Sequence, residues 1–407
     1  MSHQPRIILH GGAGTISRTN LIPHSPQYDA YITSLRSLLE SGYSKLQSSS
    51  TALDAACHVV SLFEDNPLFN CGRGSVFTRD GKNELEASVM LSGGPGAAKR
   101  GVGVTMLRHV KNPILLAKEL LLRGEETKHN FLCGEEAEKL ASKWGVEIVG
   151  EEWFWTERRW KEHLRGLKGR EMDKWTMPGR EDGEEPGEDK PAGDPEVTEE
   201  YLPQGTVGCV TMDRWGNICA ATSTGGMTNK LPGRIGDTPT LGAGFWAEEW
   251  EVPVARARPT PAAAAAGGLM EGLQSLVTDC FPSQQEHSEP LLEKTLPTNR
   301  KAIGLSGTGN GDYFLRLAAA HDVTARYRFG GRSFKAAVKE VIGRQGEMQR
   351  AAERIGKWGT GEGEGGFIGI NETGELVWDL NCGGMYRGIV DDEGKTKVAV
   401  YWDEEMH

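Results

Sequence analysis

The sequence predicts an α+β chain in which helices cover stacked sheets. Three observations lead there. Segments with helical spacing of apolar residues recur, alternating segments around tight turns form antiparallel hairpins in the second half, and the 54 glycines fall in short clusters after apolar runs instead of in repeats. Glycine clusters in those positions mark tight turns lining a site.

In chain order, Arg6-Ile7-Ile8-Leu9-His10 reads as a buried strand that ends in Gly11-Gly12-Ala13-Gly14. Two helical patterns follow, about Ala30 to Leu46 and Thr51 to Phe63, the second stopping before Asn66-Pro67. Val102 to Leu107 returns to strand. Asn112-Pro113 then opens an apolar helix, with asparagine as cap and proline tolerated at the first helical position, and Glu135 to Trp144 forms another. From Glu151 to Gln204, tryptophans and arginines give way to a Glu/Asp/Gly/Pro run, a composition that cannot bury enough apolar surface to order itself. Residues 178–203 therefore read as a solvated linker. Beyond it, Val207, Cys209, Val210 and Met212 alternate up to a turn at Asp213-Arg214-Trp215-Gly216-Asn217, and Ile218, Ala220 and Thr222 return. Phe367 to Ile370 and Leu376 to Trp378 form a second hairpin around Asn371-Glu372-Thr373-Gly374, and Lys397 to Trp402 offers a last strand.

The 407 residues permit two or three domains or one large one. Their formal net charge of −11 argues against a nucleic-acid binder, which needs a basic face to displace counterions from phosphate. Ten acids and one lysine between Glu181 and Glu200 account for −9 of it, so the remaining body is nearly neutral. No apolar run reaches the ~18 to 20 residues of a membrane span, and Met1 to His10 lacks a signal core; the expected address is the cytoplasm. The seven cysteines, at 57, 71, 133, 209, 219, 280 and 382, show no CxxC pair and no ligand spacing, and read as reduced and mostly buried. Phosphate loops of the GxxxxGK[ST] type, HExxH and GxSxG are missing.

What stands out chemically is Gly205-Thr206-Val207-Gly208, a threonine between glycines directly after the acidic run. Were the Gly205–Thr206 bond cut, Thr206 would carry a free α-amine with a pKa near 7.7 to 8.0, able to take the proton of its own hydroxyl at neutral pH. Nucleophile and base would then be one residue. The hydroxyl of Thr206 could make the cut itself by attacking the Gly205 carbonyl, and glycine permits the strained backbone that such an attack needs. A lone Gly-Thr is ordinarily the first step of a strand, so the wider context decides. That context is Thr222-Ser223-Thr224-Gly225-Gly226-Met227-Thr228-Asn229-Lys230-Leu231-Pro232-Gly233-Arg234-Ile235-Gly236-Asp237, where polar residues continue past the end of a strand.

Together with Asn66 to Met90, Leu305-Ser306-Gly307-Thr308-Gly309 and His10 to Ile16, this run resembles the plant-type L-asparaginase/isoaspartyl aminopeptidase family of N-terminal nucleophile hydrolases. The resemblance spans most of the chain apart from 145–203 and 247–300. It implies a four-layer αββα sandwich of two stacked, mainly antiparallel sheets flanked by helices. It also implies self-cleavage into an α chain, 1–205, and a β chain, 206–407, that together make one domain.

Residue by residue, Thr206 matches the family nucleophile and Thr224 the threonine whose hydroxyl lies beside it. Thr308 and Gly309 match the oxyanion pair, one hydroxyl and one backbone N–H. Arg234 and Asp237 match a clamp in which a guanidinium grips the substrate α-carboxylate and a carboxylate takes the α-ammonium. Gly311 matches a residue whose carbonyl helps hold that ammonium, and Asn70 the asparagine that supports the nucleophile. The loop from Phe63 to Arg73 resembles one that binds structural sodium through backbone carbonyls, here those of Phe63, Glu64, Asn66, Phe69, Cys71 and Arg73. No other cofactor is required. The resemblance implies small-molecule substrates, L-asparagine or β-aspartyl dipeptides, and a dimer of αβ units, with neither nucleic acid nor membrane as partner. His10-Gly11-Gly12-Ala13-Gly14, which alone would be a weak candidate for an anion-binding loop, resembles the family's first strand and turn.

The chain departs from the family pattern at Asp312, where glutamate is usual, at Cys71 and Arg73 in the presumed sodium loop, and through the 247–300 insertion between clamp and oxyanion pair. Two alternatives stay open. One is a glycosylasparaginase or threonine endopeptidase of the same superfamily, although these usually have aspartate where this chain has Gly205. The other is an uncut, non-catalytic scaffold.

Overall fold

The computed structural model of the protein describes residues 3–93, 101–175, 205–253, 298–357 and 359–407. The chain divides into two units, Met1–Glu249 with Ala302–His407, and Trp250–Lys301. Of the second unit only the ends of two strands are described. The acidic linker at 178–203 and most of the 247–300 insertion lie outside the described residues.

Among the described residues the strands are β1 (Arg6–Gly14), β2 (Leu85–Leu91), β3 (Gly101–Leu107), β4 (Phe131–Cys133), β5 (Val207–Met212), β6 (Ile218–Thr224), β7 (Phe245–Pro253), β8 (Thr298–Gly309), β9 (Gly365–Asn371), β10 (Leu376–Leu380), β11 (Gly384–Val390) and β12 (Thr396–Tyr401). They form an eight-stranded sheet, β12-β11-β1-β5-β6-β2-β3-β4, and a four-stranded sheet, β10-β9-β8-β7. In the larger sheet every pair is antiparallel except β3 with β4.

Because side chains alternate along a strand, the central strands β1, β5 and β6 of the larger sheet feed two cores. Ile7, Leu9, Val207, Cys209, Cys219 and Ala221 enter a core beneath helices α1 (Pro26–Gln47), α2 (Ala52–Asp65) and α3 (Pro113–Leu122). Ile8, Val210, Met212, Ile218 and Ala220 enter a second core, which Phe245, Ala247, Ala302, Ile368 and Ile370 of the smaller sheet complete. The two sheets therefore stack face to face. The outer face of the smaller sheet packs against the helix Phe334–Ile342, so the expected αββα order of layers is the observed one.

The helices begin where the sequence provides caps. Ser25 Oγ accepts from the Tyr28 N–H and Thr51 Oγ1 from the Asp54 N–H, and Pro26 supplies a pre-set first turn. Asn112 differs from its expected role. Its side chain makes no cap; it donates instead to Ser61 O at 3.2 Å and Asp65 Oδ1 at 3.1 Å, tying α3 to α2, while Glu64 Oε1 accepts the Ile114 N–H.

A larger correction concerns the segment from Glu151, expected to stay unordered. Glu151–Phe154 is a 3-10 turn and Glu157–Trp175 a helix. Composition misleads here because a few buried residues suffice: Phe154 is fully buried, Trp160 meets Phe77 edge to face at 5.2 Å, and Arg159 is buried against Glu162 at 2.9 Å and Gly74 O at 2.7 Å. Among the described residues, no helix is long and apolar enough to cross a membrane.

Candidate active site

The expected nucleophile sits in the seam between the sheets. Thr206 precedes β5 and is only 6% exposed. The pairing Val207↔Ser223 and Gly208↔Thr222 puts Thr224 opposite Thr206 at the next register step, and Glu86↔Thr224 carries the row into β2. Pleat parity turns Thr206, Thr222, Thr224, Glu86 and Ser88 toward the inter-sheet side, whereas Ser223 faces the helices and donates to Glu64 Oε1 at 2.7 Å.

On the opposing sheet, Ser306 and Thr308 of β8 are fully buried and share the parity of Gly304, whose missing Cβ would point at Val210 and Ile218 of the larger sheet. Thr308 Oγ1 accepts from the Ala13 N–H at 3.2 Å, which leaves its own proton free for another acceptor. Gly205 lies between β1 and β8: a Cβ there would stand 2.5 Å from Gly12 Cα and 2.7 Å from Thr308 Oγ1, and it would also press on the Ala13 nitrogen. Gly309 has φ +140° and its Cβ position is filled by the Glu364 carbonyl, so only glycine fits beside Thr308.

His10, midway along β1, which runs on past the expected turn to Gly14, contacts Thr206 directly. Its Nδ1 lies 2.9 Å from Thr206 O and its Nε2 lies 2.7 Å from Ser306 Oγ. A carbonyl only accepts, so Nδ1 bears the proton and Nε2 accepts from the serine hydroxyl. Burial drives the His10 pKa down to about 3, opposed by the Thr206 carbonyl, and the ring stays neutral throughout the working range. The result is a fixed hydrogen-bonded chain from Ser306 to the carbonyl of Thr206.

The register sets Thr224 opposite Thr206, and Thr206 Oγ1 has a hydroxyl partner besides. Thr238 Oγ1 lies 3.1 Å from it, while Thr224 Oγ1 accepts from the Gly226 N–H at 3.0 Å. Thr238 is itself held from behind, since its carbonyl accepts from Ser88 Oγ at 2.6 Å, and Ser88 in turn contacts Thr222 Oγ1.

The expected clamp lies on the 233–237 turn. Asp237 is buried, Gly311 and Gly244 pack against its carboxylate, and its Oδ2 has no hydrogen-bond partner. Burial first, then the charge of Glu86, raises its pKa to about 7. A buried carboxylate with an unused acceptor is poised for a cation. Arg234 pairs with Asp312 at 3.0 Å, so the aspartate that departs from the family pattern still meets the clamp arginine. Beneath the turn, Glu86 accepts the Gly236 N–H at 3.0 and 3.3 Å and Glu84 Oε2 accepts the Gly233 N–H at 2.8 Å. Buried Lys230 reaches Glu84 O at 2.7 Å.

Asn70 bridges the remaining piece. Its Nδ2 donates to Gly226 O at 2.7 Å, its Oδ1 accepts the Val76 N–H at 3.1 Å and its carbonyl accepts the Gly225 N–H at 2.9 Å. The loop that carries it rests on rings: Phe63 and Phe69 meet edge to face at 4.7 Å, and Tyr31 stacks on Tyr386 at 4.3 Å. In the expected sodium loop, a Cβ at Gly72 would run into the Glu64 carbonyl and one at Gly74 into those of Pro67 and Phe69. The carbonyls of Phe63, Asn66 and Cys71 each accept one loop N–H, which leaves each a second lone pair. A carbonyl cradle of this kind fits a hard cation.

Thr206, Thr308, Gly309, Asn70, Thr224, Arg234, Asp237 and Gly311 thus converge on one seam. Sequence reasoning missed the roles taken by His10, Thr238, Ser306 and Glu86. The only sequence signals for them were a histidine closing an apolar strand and a hydroxyl one step beyond the clamp aspartate.

Stacked sheets under helices, with a threonine opening a buried strand between them, define an αββα hydrolase architecture. Comparison with known proteins agrees: a family model described as asparaginase matches residues 3–256 and 298–400. The isoaspartyl peptidase of Escherichia coli K12 is 32% identical over 396 residues, covering 96% of this chain and 95% of that protein. The isoaspartyl peptidase/L-asparaginase of Danio rerio is 35% identical over 247 residues (60% of this chain, 67% of that protein), and the plant-type L-asparaginase of Pyrococcus furiosus 37% over 246 (60% and 70%). The chain belongs to the asparaginase family. The match also narrows the departures, since 145–203 falls inside it and the unmatched insertion shrinks to 257–297.

Proposed function

We propose that this protein is a threonine amidohydrolase that cuts its own Gly205–Thr206 bond and then hydrolyses the side-chain amide of L-asparagine, the isopeptide bond of β-aspartyl dipeptides, or both. The observation that carries the reading is the seat of the Gly205-Thr206 pair. Gly205 is pressed against Gly12 and Ala13 of β1 and Thr308 Oγ1, and Thr206 is held by its carbonyl on His10. The names of the bacterial, fish and archaeal relatives support the same substrates.

In self-cleavage, Thr206 Oγ attacks the Gly205 carbonyl carbon, the C–N bond breaks with the proton passing to nitrogen, and water hydrolyses the resulting ester. The Thr308 hydroxyl, which already accepts from Ala13 N–H, donates to the oxyanion. In turnover, Arg234 takes the substrate α-carboxylate while Asp237 and the Gly311 carbonyl take the α-ammonium. This sets the side-chain carbonyl at Thr308 and the Gly309 N–H. The free amine of Thr206 accepts the hydroxyl proton and Oγ attacks, after which ammonia or an amino acid leaves with that proton. Water then releases aspartate from the ester. Thr238, beside Thr206 Oγ1, orients the hydroxyl.

Asn70 secures the Gly225-Gly226 segment behind Thr224, and the loop carbonyls, those of Phe63, Asn66 and Cys71 among them, would hold a structural sodium that would stiffen the loop carrying Asn70. The reading includes a dimer of αβ units, a cytoplasmic address, and no nucleic-acid or membrane partner. It is tested by incubating processed protein with L-asparagine and with β-aspartyl-leucine, following ammonia and aspartate. Turnover of at least one is expected, and release from neither overturns the assignment.

A further inference from the structure

The self-cleavage proposed above, on which everything here rests, creates a charge that the uncut chain lacks. When water hydrolyses the Thr206 ester, its oxygen joins the Gly205 carbonyl carbon and the bond from that carbon to Thr206 Oγ breaks. One proton stays on Oγ, the other leaves to solvent, and Gly205 becomes a carboxylate. That carboxylate starts close to Thr308, since a Cβ on Gly205 would stand 2.7 Å from Thr308 Oγ1. Left there, it would compete with substrate for the oxyanion donors.

Gly205 also borders a small cavity of about 10 Å³, room for one water-sized group. Gly11, Tyr31, Phe69, Arg158 and Tyr386 line it further. The Cβ position of Gly11 is filled by the Phe69 ring, and Tyr31, Phe69 and Tyr386 belong to the core beneath the helices. The cavity thus lies on the helix side of the larger sheet, whereas Thr206 and Thr308 face the seam between the sheets.

Its polar wall is charged and incompletely paired. Arg158 Nε donates to Glu162 Oε1 at 3.2 Å and Nη1 donates to the Tyr31 hydroxyl at 3.1 Å. Glu162 also accepts from Arg159 Nη1 at 2.9 Å, so two guanidinium groups share one carboxylate. Arg158 Nη2 is buried without a hydrogen-bond partner, and so is the Tyr386 hydroxyl. Buried donors left unpaired are costly, and a carboxylate offers acceptors to both.

We propose that this cavity receives the new carboxylate of Gly205, held by Arg158 with the Tyr386 hydroxyl as second donor, and so withdraws the cut end of the α chain from the oxyanion pair. The helix Glu157–Trp175 then carries the receptor for the end of its own chain.

The experiment exposes the processed full-length enzyme to a carboxypeptidase that accepts C-terminal glycine and follows the mass of the α chain. The wild type should lose Gly205 at least about tenfold more slowly than a free peptide of residues 196–205, the scale of a hydrogen bond to a charged group. Arg158→Gln should cut itself and lose this protection. Its KM for L-asparagine should rise several-fold at unchanged kcat, and trimming the loose end should bring KM back. Tyr386→Phe, which keeps the ring stacked on Tyr31, should lose part of the protection and decides the matter if Arg158→Gln fails to cut. Trimming of the wild type at the peptide's rate, or full protection in Arg158→Gln, or in Tyr386→Phe where that variant decides, overturns the receptor and leaves the hydrolase standing. A wild-type chain that never cuts before Thr206 overturns the function beneath it as well.

Discussion

Replacing Asp237 with asparagine should change the pH dependence of catalysis as well as its size. In the folded chain the Asp237 carboxyl holds its proton up to about pH 7, through burial and the neighbouring Glu86. Measured against an ordinary aspartate near 3.9, ionisation in this site costs on the order of 4 kcal/mol more than in water. The orphaned Oδ2 explains why, and a substrate ammonium beside it would offset that cost. Productive binding thus requires the ionised form. Kinetically, kcat/KM should fall about tenfold at pH 6 from this group alone. The Thr206 amine, with a pKa near 7.7 to 8.0, must also lose its proton, so log kcat/KM should approach a slope of two below both values. Because Asp237 is ionised once substrate is bound, log kcat should show a slope of one only. In Asp237→Asn the slope of log kcat/KM should fall to one, and its plateau should drop by ~30-fold or more, since losing a buried charge partner costs on the order of 2 to 5 kcal/mol. Acid unfolding does not mimic this limb. A raised carboxyl pKa means that the folded chain binds the extra proton as pH falls through about 7, which stabilises it there. Steady-state kinetics from pH 5.5 to 9 decide the matter. A wild-type slope of one that the substitution leaves in place would refute the reasoning.

Other consequences follow from the same seam. Thr206→Ala should remain a single chain without hydrolase activity, while Thr206→Ser should still cut, more slowly, both read on a denaturing gel. Gly205→Ala should block or greatly slow cleavage in a chain that still folds, since a methyl there would stand 2.7 Å from Thr308 Oγ1 and 2.5 Å from Gly12 Cα; processing at the wild-type rate would contradict it. Glu86→Gln removes the charge that helps raise the Asp237 pKa and weakens the grip on the Gly236 N–H. Its acid limb in kcat/KM should move to lower pH while KM at pH 8.5 rises several-fold.

How much of this was legible in the sequence depends on how local each signal is. The β5–β6 and β9–β10 hairpins alternate around short turns, and α1 and α2 carry Ser25 and Thr51 as caps, so their own residues announce them. The Glu157–Trp175 helix did not, because its burial rests on Trp160 and Arg159 meeting Phe77 and Gly74, some 80 residues earlier. Strand β2 was equally hidden: Glu86 and Ser88 are polar on the face that lines the seam, which breaks the apolar signature of a buried strand. Thr206, Arg234 and Asp237 could be named through a resemblance, since they sit in one continuous pattern. The partnerships of His10 with Thr206 and Ser306, across 196 and 296 residues, exist only through the register of β1 against β5 and the stacking of β8 above it.

The central claim, that a threonine made N-terminal by self-cleavage is the working group, is tested most directly by the intact mass of purified protein after incubation at neutral pH, with N-terminal sequencing of each piece and activity measured alongside. The account predicts two pieces of 205 and 202 residues, the second beginning Thr-Val-Gly-Cys, with activity rising in step with cleavage. Full hydrolase activity from an uncut 44.4 kDa chain, or a cut elsewhere than before Thr206, would contradict it.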